Sequence, residues 1–168
     1  MIRILKYFSK KYRIMKDPIN YFRSIGVKIG DNCRLVGDVG FGSEPYLVKL
    51  GNHVSITTSN FITHDGGVWV FRDEYPLIDV ISPIVVGNNV FIGANCTIMP
   101  GVVIGDNVIV GAGSIVTKNL ESNSIYAGIP ARFVKTTHDY KQNVLSKAFM
   151  IKDLSDIEKR KFLSEKYF

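Results

Sequence analysis

Residues 83–116 read PIVVGNNVFIGANCTIMPGVVIGDNVIVGAGSIV, and an aliphatic residue returns at every sixth position of this stretch. The recurring residues are Val86, Ile92, Ile98, Ile104, Val110 and Val116. In four of these six repeats Gly comes next, turn-forming residues follow, and a small or medium side chain stands four positions after the aliphatic one. A period of six fits neither the 3.6-residue period of a helix nor the plain alternation of a strand. It therefore predicts a repeat architecture.

Three consecutive repeats predict one coil of a parallel β-helix. Each repeat supplies a short strand and a bend, since Gly and Asn accept positive φ angles. Three of them close a triangular coil of roughly 18 residues, which pairs in parallel with the next coil. Aliphatic residues with the same six-residue spacing occur earlier in the chain, on both sides of an interruption at residues 41–46 (FGSEPY). They are Ile29, Leu35, Leu50, Ile56 and Ile62. We predict an all-β architecture whose β-helix domain covers residues 25–135 and stacks these aliphatic residues at its corners.

The two ends of the chain lack the repeat and are predicted to be helical. One helical face of residues 1–24 carries four apolar residues, with Lys and Arg around the rest: Leu5, Phe8, Tyr12 and Met15. We expect this segment to cap the first coil, with a basic amphipathic surface that touches anionic lipid as the alternative. In the C-terminal arm, residues 136–168, Ser155 and Glu158 have the Ser-x-x-Glu spacing of a capping box, which predicts a short charged helix.

Length and composition indicate one domain of ordinary globular character. The 168 residues are 46% hydrophobic and 21% charged, and no apolar run approaches the ~20 residues needed to cross a bilayer. The N-terminus has scattered basic residues and no apolar core typical of a secretory signal. We expect a cytoplasmic protein, with peripheral contact at the inner face of the membrane left open. The net charge of +6 favours an anionic partner, but the basic residues are concentrated at the ends, which argues against nucleic acid.

The two cysteines, Cys33 and Cys96, occupy the same place in their repeats and have no metal-ligand spacing. We expect both thiols to be free and to point inward, on coils too far apart for a disulfide. A structural role in a reducing compartment follows from this placement.

The longest departure from the repeat is THDGGVWVFRDEYPLIDVISP, residues 63–83, with repeats on both sides. An insertion between regular coils must project outward. This projecting loop holds the chain's single tryptophan, Trp69, among polar and charged neighbours that a scaffold does not need. One of them is His64, and a histidine, with an ordinary pKa near ~6.5, can take a proton from a hydroxyl or an amine at neutral pH. His64 is a candidate general base, and a loop hydrogen bond is its alternative role.

The run SPIVVGNNVFIGANCTIMPGVVIGDNVIVGAGSIVTKNLESNSIYAGIPARFVK, residues 82–135, resembles the C-terminal half of bacterial sugar O-acetyltransferases. That hexapeptide-repeat family includes maltose and galactoside acetyltransferases and enzymes that modify capsule and lipopolysaccharide. The resemblance implies a left-handed coil, acetyl-CoA as co-substrate, no required metal, and a homotrimer with active sites between subunits. It also implies O-acetylation of a saccharide, in cell-surface polysaccharide biosynthesis.

The family's cofactor contacts correspond to six positions here. They are small residues of the IGA and GAGS turns, the Thr-Lys pair after the last repeat and the basic residues of PARFVK: Ala94, Ala112, Thr117, Lys118, Arg132 and Lys135. Small residues let an extended thiol arm approach the backbone, and Lys and Arg can meet nucleotide phosphates. The alternatives are turns that accept any small residue and a solvated basic surface. The resemblance also makes His64 the catalytic base, which deprotonates a sugar hydroxyl for direct attack on the thioester, without an acyl-enzyme.

The resemblance does not extend to the acceptor. Phe91 stands where relatives often have Trp, and FGSEPYLVKL, residues 41–50, replaces the acceptor-binding segment of the maltose-type enzymes. The acceptor-binding candidates are therefore four residues from this segment and the projecting loop: Glu44, Asp65, Trp69 and Arg72. A fold-level contact or a loop salt bridge is the alternative role of each.

Three other functions stay open at this point. N-acetylation of a nucleotide-linked amino sugar could use the same base. A zinc lyase of the gamma carbonic anhydrase type needs three converging histidines. The chain has only His53, His64 and His138, the last beyond the coil. A catalytically silent β-helix scaffold would keep the repeats but would have no reason to keep the spacing of five cofactor positions: Ala112, Thr117, Lys118, Arg132 and Lys135.

Overall fold

The computed structural model describes residues 11–168, and its short strands form three sheets. The strands are β1 (Lys28–Ile29), β2 (Arg34–Val36), β3 (Val48–Leu50), β4 (Val54–Thr57), β5 (Asn60–Phe61), β6 (Ile84–Val86), β7 (Val90–Ile92), β8 (Thr97–Ile98), β9 (Val103–Ile104), β10 (Ile109–Val110), β11 (Ile115–Val116), β12 (Ser124–Ala127) and β13 (Arg132–Thr136). Most have two or three residues, because a bend interrupts the chain in every repeat.

The three sheets are the three faces of a coil. The first face pairs β1, β3, β6 and β9, the second pairs β2, β4, β7, β10, β12 and β13, and the third pairs β5, β8 and β11, in these orders. Every pairing is parallel except the last on the second face, β12 with β13. Three registers join residues 18 positions apart: Val86 with Ile104, Ile92 with Val110, and Ile98 with Val116. The predicted parallel coil of roughly 18 residues is confirmed.

The repeated aliphatic residues fill the inside of the coil. All six that define the period, from Val86 to Val116, are at most 1% exposed. The earlier phase is wrong by one residue at the projecting loop, because Phe61, and not Ile62, takes the inward position. Phe61 is 1% exposed and pairs with Ile98, while Ile62 is half-buried. The Phe61 ring stacks on Phe41 with centroids 5.0 Å apart, so an aromatic pair replaces the aliphatic column at this end.

One corner of the coil is held by a ladder of side-chain amides. Asn89, Asn107 and Asn123 all have φ between 54° and 60°, a left-handed conformation that Asn accepts more readily than most residues. Asn89 Nδ2 donates to Asn107 Oδ1 and Asn107 Nδ2 donates to Asn123 Oδ1, both at 2.8 Å. His53 Nδ1 lies 2.8 Å from Asn89 Oδ1 and continues the ladder. Each amide therefore ties one coil to the next.

Helices cover the N-terminal end of the coil. Residues 11–16 are helical, and α1 covers Pro18–Ser24. The Asp17 side chain caps α1 by accepting a hydrogen bond from the Asn20 N–H at 3.0 Å. Tyr21 and Phe22 of α1 are buried, and the Phe22 ring meets Phe41 of the first coil edge-on, with centroids 4.7 Å apart.

The apolar face predicted for this cap is wrong in its described part. Tyr12 and Met15 are 64% and 77% exposed, and Ile14 and Ile19 pack against the core instead. The break before Pro18 is the physical reason, because the residue ahead of a proline is disfavoured in the helical region. Two short helices therefore replace the single helix that the spacing assumed. The other two predicted face residues, Leu5 and Phe8, lie outside the described residues.

The C-terminal part has its own helices. Among the described residues, 11–137 form one compact unit and His138–Phe168 form a second. The helices are α2 (Thr137–Leu145), which begins at the last residue of the first unit, and α3 (Asp156–Tyr167). The predicted capping box is confirmed at the start of α3. The Glu158 N–H donates to Ser155 Oγ at 3.4 Å, and the Ser155 N–H donates to Glu158 Oε2 at 2.9 Å.

Both cysteines are free, as predicted. Cys33 Sγ donates to Gly51 O and Cys96 Sγ donates to Gly111 O, each at 3.2 Å, so both thiols bond to a neighbouring coil. Burial raises the pKa of the Cys96 thiol, which keeps it protonated at neutral pH. Among the helices within residues 11–168, none is both long and apolar enough to cross a membrane.

Candidate active site

The projecting loop leaves the coil at the corner between the third and the first face. A two-stranded base closes it: His64 and Ile81 form an antiparallel bridge, and the Ser82 N–H donates to Thr63 O at 2.8 Å. A 3₁₀ helix, Gly66–Phe71, forms much of the rest. Its large side chains and those beyond it are mostly exposed: Trp69, Val70, Phe71, Tyr75 and Leu77. The loop projects as the repeat pattern predicted, and its base fixes the position of His64.

A carboxylate, a hydroxyl and an imidazole meet at this corner. Glu44 comes from the interruption one coil before the loop, and its Oε2 lies 3.2 Å from His64 Nδ1. The hydroxyl of Thr63, which is fully buried, donates to the same Oε2 at 2.6 Å. The Glu44 side chain is 17% exposed and that of His64 is 38% exposed. The carboxylate is thus sheltered by the coil, while part of the imidazole faces solvent.

The electrostatics of this cluster favour one histidine tautomer. The hydrogen bond from Thr63 holds the pKa of the Glu44 carboxyl below its ordinary value; the contact with His64 lowers it further, and burial opposes both. An ionised carboxylate only accepts hydrogen bonds. His64 Nδ1 must therefore carry a proton toward Glu44, which leaves the lone pair of neutral His64 on Nε2. That nitrogen is the one able to take a proton from another molecule.

The two predicted small residues lie together at a different corner, between the second and the third face. Ala94 follows β7 and Ala112 follows β10 one coil later, and the Gly113 N–H donates to Ala94 O at 2.8 Å. A Cβ added at Gly93 would come within 2.6 Å of Ala112 N, so these coils approach this closely only because of the glycine. The result is a smooth backbone edge with no large side chain of its own.

The four remaining cofactor candidates lie at three places. Arg132 begins β13 and pairs with Ala127, which is one coil beyond the turn of Ala112, at the edge between the second and the third face. Lys135 pairs with Ile125 and lies on the second face itself. Thr117 and Lys118 are exposed and follow β11, at the same corner as His64 but two coils, or about 10 Å, further from the N-terminal end. A single chain therefore does not bring the six residues together at one point.

The acceptor candidates have contacts within the fold. Asp65 Oδ1 accepts a hydrogen bond from the Gly67 N–H at 2.9 Å and caps the loop's 3₁₀ helix. The Arg72 guanidinium lies over the Trp69 ring, 5.8 Å from its centroid. Glu44 is the partner of the candidate base. Binding of an acceptor by these four residues stays a prediction.

Sequence reasoning missed Thr63. The signal available was its position two residues after the inward Phe61, because alternation along a strand turns Thr63 inward as well. A hydroxyl at such a place must find a partner, and the nearest carboxylate of the previous coil is Glu44.

Side chains that could ligate a metal are not clustered: within residues 11–168, no three His, Cys, Asp or Glu side chains are grouped so that they could hold an ion.

The chain is similar to several known proteins. A family model described as the hexapeptide repeat of succinyl-transferase matches residues 83–118. The Staphylococcus aureus protein CapG is 50% identical over 167 residues, 96% of this chain and 95% of that protein. The galactoside O-acetyltransferase of Escherichia coli K12 is 44% identical over 138 residues, 82% of this chain and 67% of the enzyme.

Solved structures share the fold. A galactoside acetyltransferase in complex with coenzyme A superposes with a TM-score of 0.57 at 23% identity, over 89% of this chain and 85% of that one. A hexapeptide-repeat acetyltransferase of Vibrio cholerae gives a TM-score of 0.58 at 20% identity, over 70% and 77% of the two chains. The protein is an acyltransferase that uses acetyl-CoA. The chain belongs to the hexapeptide-repeat acetyltransferase family.

Proposed function

We propose that this protein transfers the acetyl group of acetyl-CoA to a hydroxyl of a saccharide, in the biosynthesis of a cell-surface polysaccharide. The observation that carries the proposal is the His64 imidazole, oriented by Glu44 at 3.2 Å and partly open to solvent. The name of the Escherichia coli relative, a galactoside O-acetyltransferase, supports a sugar hydroxyl as the acceptor.

His64 acts as the general base. Its Nε2 takes the proton of the acceptor hydroxyl as the oxygen attacks the thioester carbonyl. The carbon–sulfur bond then breaks, and the imidazolium returns its proton to the leaving thiolate, so that the products are an acetyl ester and the free thiol. Glu44 holds the ring in place and stabilises the imidazolium between the two proton transfers, much as a carboxylate serves the histidine of a hydrolase triad.

The acetyl-CoA arm lies along the third face in this proposal. Ala94 and Ala112 leave room for it to approach the backbone, and basic residues at both edges of this face and on the neighbouring second face meet its phosphates: Lys118, Arg132 and Lys135. Thr117 lies beside the arm. These residues flank the face instead of enclosing it, so a second subunit must close the groove. A homotrimer with sites between subunits supplies that wall, and its coils wind left-handed.

The same proposal places the protein in the cytoplasm, where acetyl-CoA is made, with the basic N-terminal segment free to contact the inner face of the membrane. Lys11, Arg13 and Lys16 are exposed in the described part of that segment, which supports attraction to anionic lipid. Binding of the whole protein to vesicles with and without anionic lipid tests this part separately.

Thiol release from acetyl-CoA tests the acceptor class. The protein is offered neutral oligosaccharides, amino sugars and nucleotide-linked amino sugars, and the products are treated with alkaline hydroxylamine, which cleaves acetyl esters and spares amides. We expect saccharide-dependent thiol release and a cleavable product. Release that depends on an amino group and gives a resistant product would replace O-transfer by N-transfer, and binding of no coenzyme at all would favour a scaffold.

A further inference from the structure

The side of the projecting loop that carries Gly66 and Trp69 is open, and we call it the shelf. In a 3₁₀ helix residues three apart lie on the same side, so Gly66, Trp69 and Arg72 share one side of Gly66–Phe71. The Trp69 side chain is 73% exposed, and the Arg72 guanidinium braces the indole at 5.8 Å. Counting extended and 3₁₀ residues, Trp69 lies at most about 13 Å along the chain from His64.

Nothing in the fold demands the glycine that forms this shelf. A Cβ added at Gly66 would meet no atom within 4 Å, and the φ angle of Gly66 lies outside the left-handed region. A larger residue would therefore fit without strain. Because Gly66 has no side chain, the side of the 3₁₀ helix that carries the indole stays open at this position.

The charge of the loop selects among sugars. It carries four carboxylates, Asp65, Asp73, Glu74 and Asp79, against the single guanidinium of Arg72, on a chain with a net charge of +6. In the part of the chain that the structure describes, no lysine, arginine or histidine lies within 4.0 Å of any of these four carboxylates. They accept hydrogen bonds, as sugar hydroxyls require, and they repel anions.

We propose that the shelf formed by Gly66 and Trp69 is the acceptor subsite and that it takes a neutral sugar ring. The ring stacks its C–H face on the negative π face of the indole, and its hydroxyls point toward His64 and the loop carboxylates. Sugars that carry a phosphate or a carboxylate, nucleotide-linked sugars included, are disfavoured by the acidic loop. This inference rests on the saccharide acceptor proposed above, and it names the class of that saccharide.

Fluorescence measures occupancy directly, because Trp69 is the only tryptophan of the chain. The full-length protein is titrated with neutral trisaccharides and with trigalacturonic acid, at low salt and at high salt. We expect a saturable change in emission with a neutral sugar. At low salt the acid should bind more weakly, by about tenfold for each of its carboxylates that lies roughly 10 Å from the three net negative charges of the loop in water, and this gap should narrow at high salt.

Variants separate the shelf from the rest of the loop. Gly66→Leu fills the open space and should weaken neutral-sugar binding by tenfold or more without changing the melting temperature. Val70→Phe adds bulk on another side of the same 3₁₀ helix, where Val70 is 74% exposed, and should leave binding unchanged.

Three results would overturn the inference. The first is binding of the acidic sugar that equals or exceeds binding of the neutral sugar, and the second is unchanged neutral-sugar binding by Gly66→Leu. The third is Trp69 emission that changes with protein concentration but with no saccharide, which would mean that a second copy of the protein covers the shelf. Saccharide-dependent thiol release that persists in those cases would leave the proposed function standing. Loss of thiol release with every saccharide, despite saturable binding at Trp69, would refute that function alone.

Discussion

Replacing Glu44 by glutamine tests whether the charge of this side chain assists the base. Thr63 Oγ1 and His64 Nδ1 both contact the same oxygen of Glu44, at 2.6 and 3.2 Å. The amide oxygen of a glutamine can accept from both donors, so the substitution keeps the size of the side chain and the tautomer of His64. It removes the negative charge that stabilises the imidazolium formed when Nε2 takes the proton of the acceptor.

The expected size follows from the geometry. A hydrogen bond to a charged group contributes about 1.5–3 kcal/mol, and a factor of ten in rate corresponds to about 1.4 kcal/mol. Since the contact is fairly long and the carboxylate is 17% exposed, the lower half of that range applies. We expect kcat for acetyl transfer to fall about 10- to 30-fold, with little change in KM for acetyl-CoA.

Steady-state thiol release with the preferred acceptor measures this effect. Glu121→Gln is the matched control, because Glu121 is an exposed glutamate in a turn of the coil, remote from His64 in the sequence, and this variant should behave as the wild type. A kcat of Glu44→Gln within twofold of the wild type would refute the stabilisation of the imidazolium by Glu44. A rise in KM for acetyl-CoA with unchanged kcat would place Glu44 in cofactor binding instead.

Three further predictions concern stability. Because the pKa of Glu44 is lowered chiefly by the hydrogen bond from Thr63, the ionised carboxylate stabilises the fold above the ordinary pKa of glutamate, and this contribution disappears as pH falls through the lowered pKa. Urea unfolding of the wild type and of Glu44→Gln between neutral and acidic pH should show a gap that closes in acid; a constant gap would contradict this. Ile98→Ala, at a fully buried site, should cost about 2–5 kcal/mol of unfolding free energy, and a loss under 1 kcal/mol would mean that the coil repacks. Ser155→Ala removes the cap of α3 and should cost about 1 kcal/mol of helix stability, seen as faster amide exchange in its first turn; unchanged exchange would contradict the cap's role.

The coil could be predicted because its signal is local and repeated. Each repeat from Val86 to Val116 shows its inward residue and its bend within six positions, and the register of 18 residues follows from three of them. The error came where the repeat is interrupted. The inward Phe61 follows the inward Ile56 by five positions instead of six. Its aromatic pair with Phe41 decides which side chain turns inward. Periodicity contains no information about such a pair.

The site was predictable in part. The break in the repeat marked the projecting loop and His64, but the contact between Glu44 and His64 was not predicted. That contact joins residues 20 positions apart on neighbouring coils, and only the stacking of the corners brings them together. The capping role of Asp65 and the position of Arg72 over Trp69 likewise depend on the 3₁₀ helix, which no repeat pattern predicts.

Substitution of the two coil histidines tests the central claim most directly. His64→Ala removes the proposed base, and His53→Ala removes a histidine that bonds Asn89 at another corner of the coil. Acetyl transfer from acetyl-CoA to the preferred saccharide is measured for both variants beside the wild type, with coenzyme A binding as a check on folding. We predict that His64→Ala loses at least about 100-fold in kcat, as general-base catalysis contributes, and still binds coenzyme A, while His53→Ala keeps its activity. Full activity of His64→Ala would contradict the account.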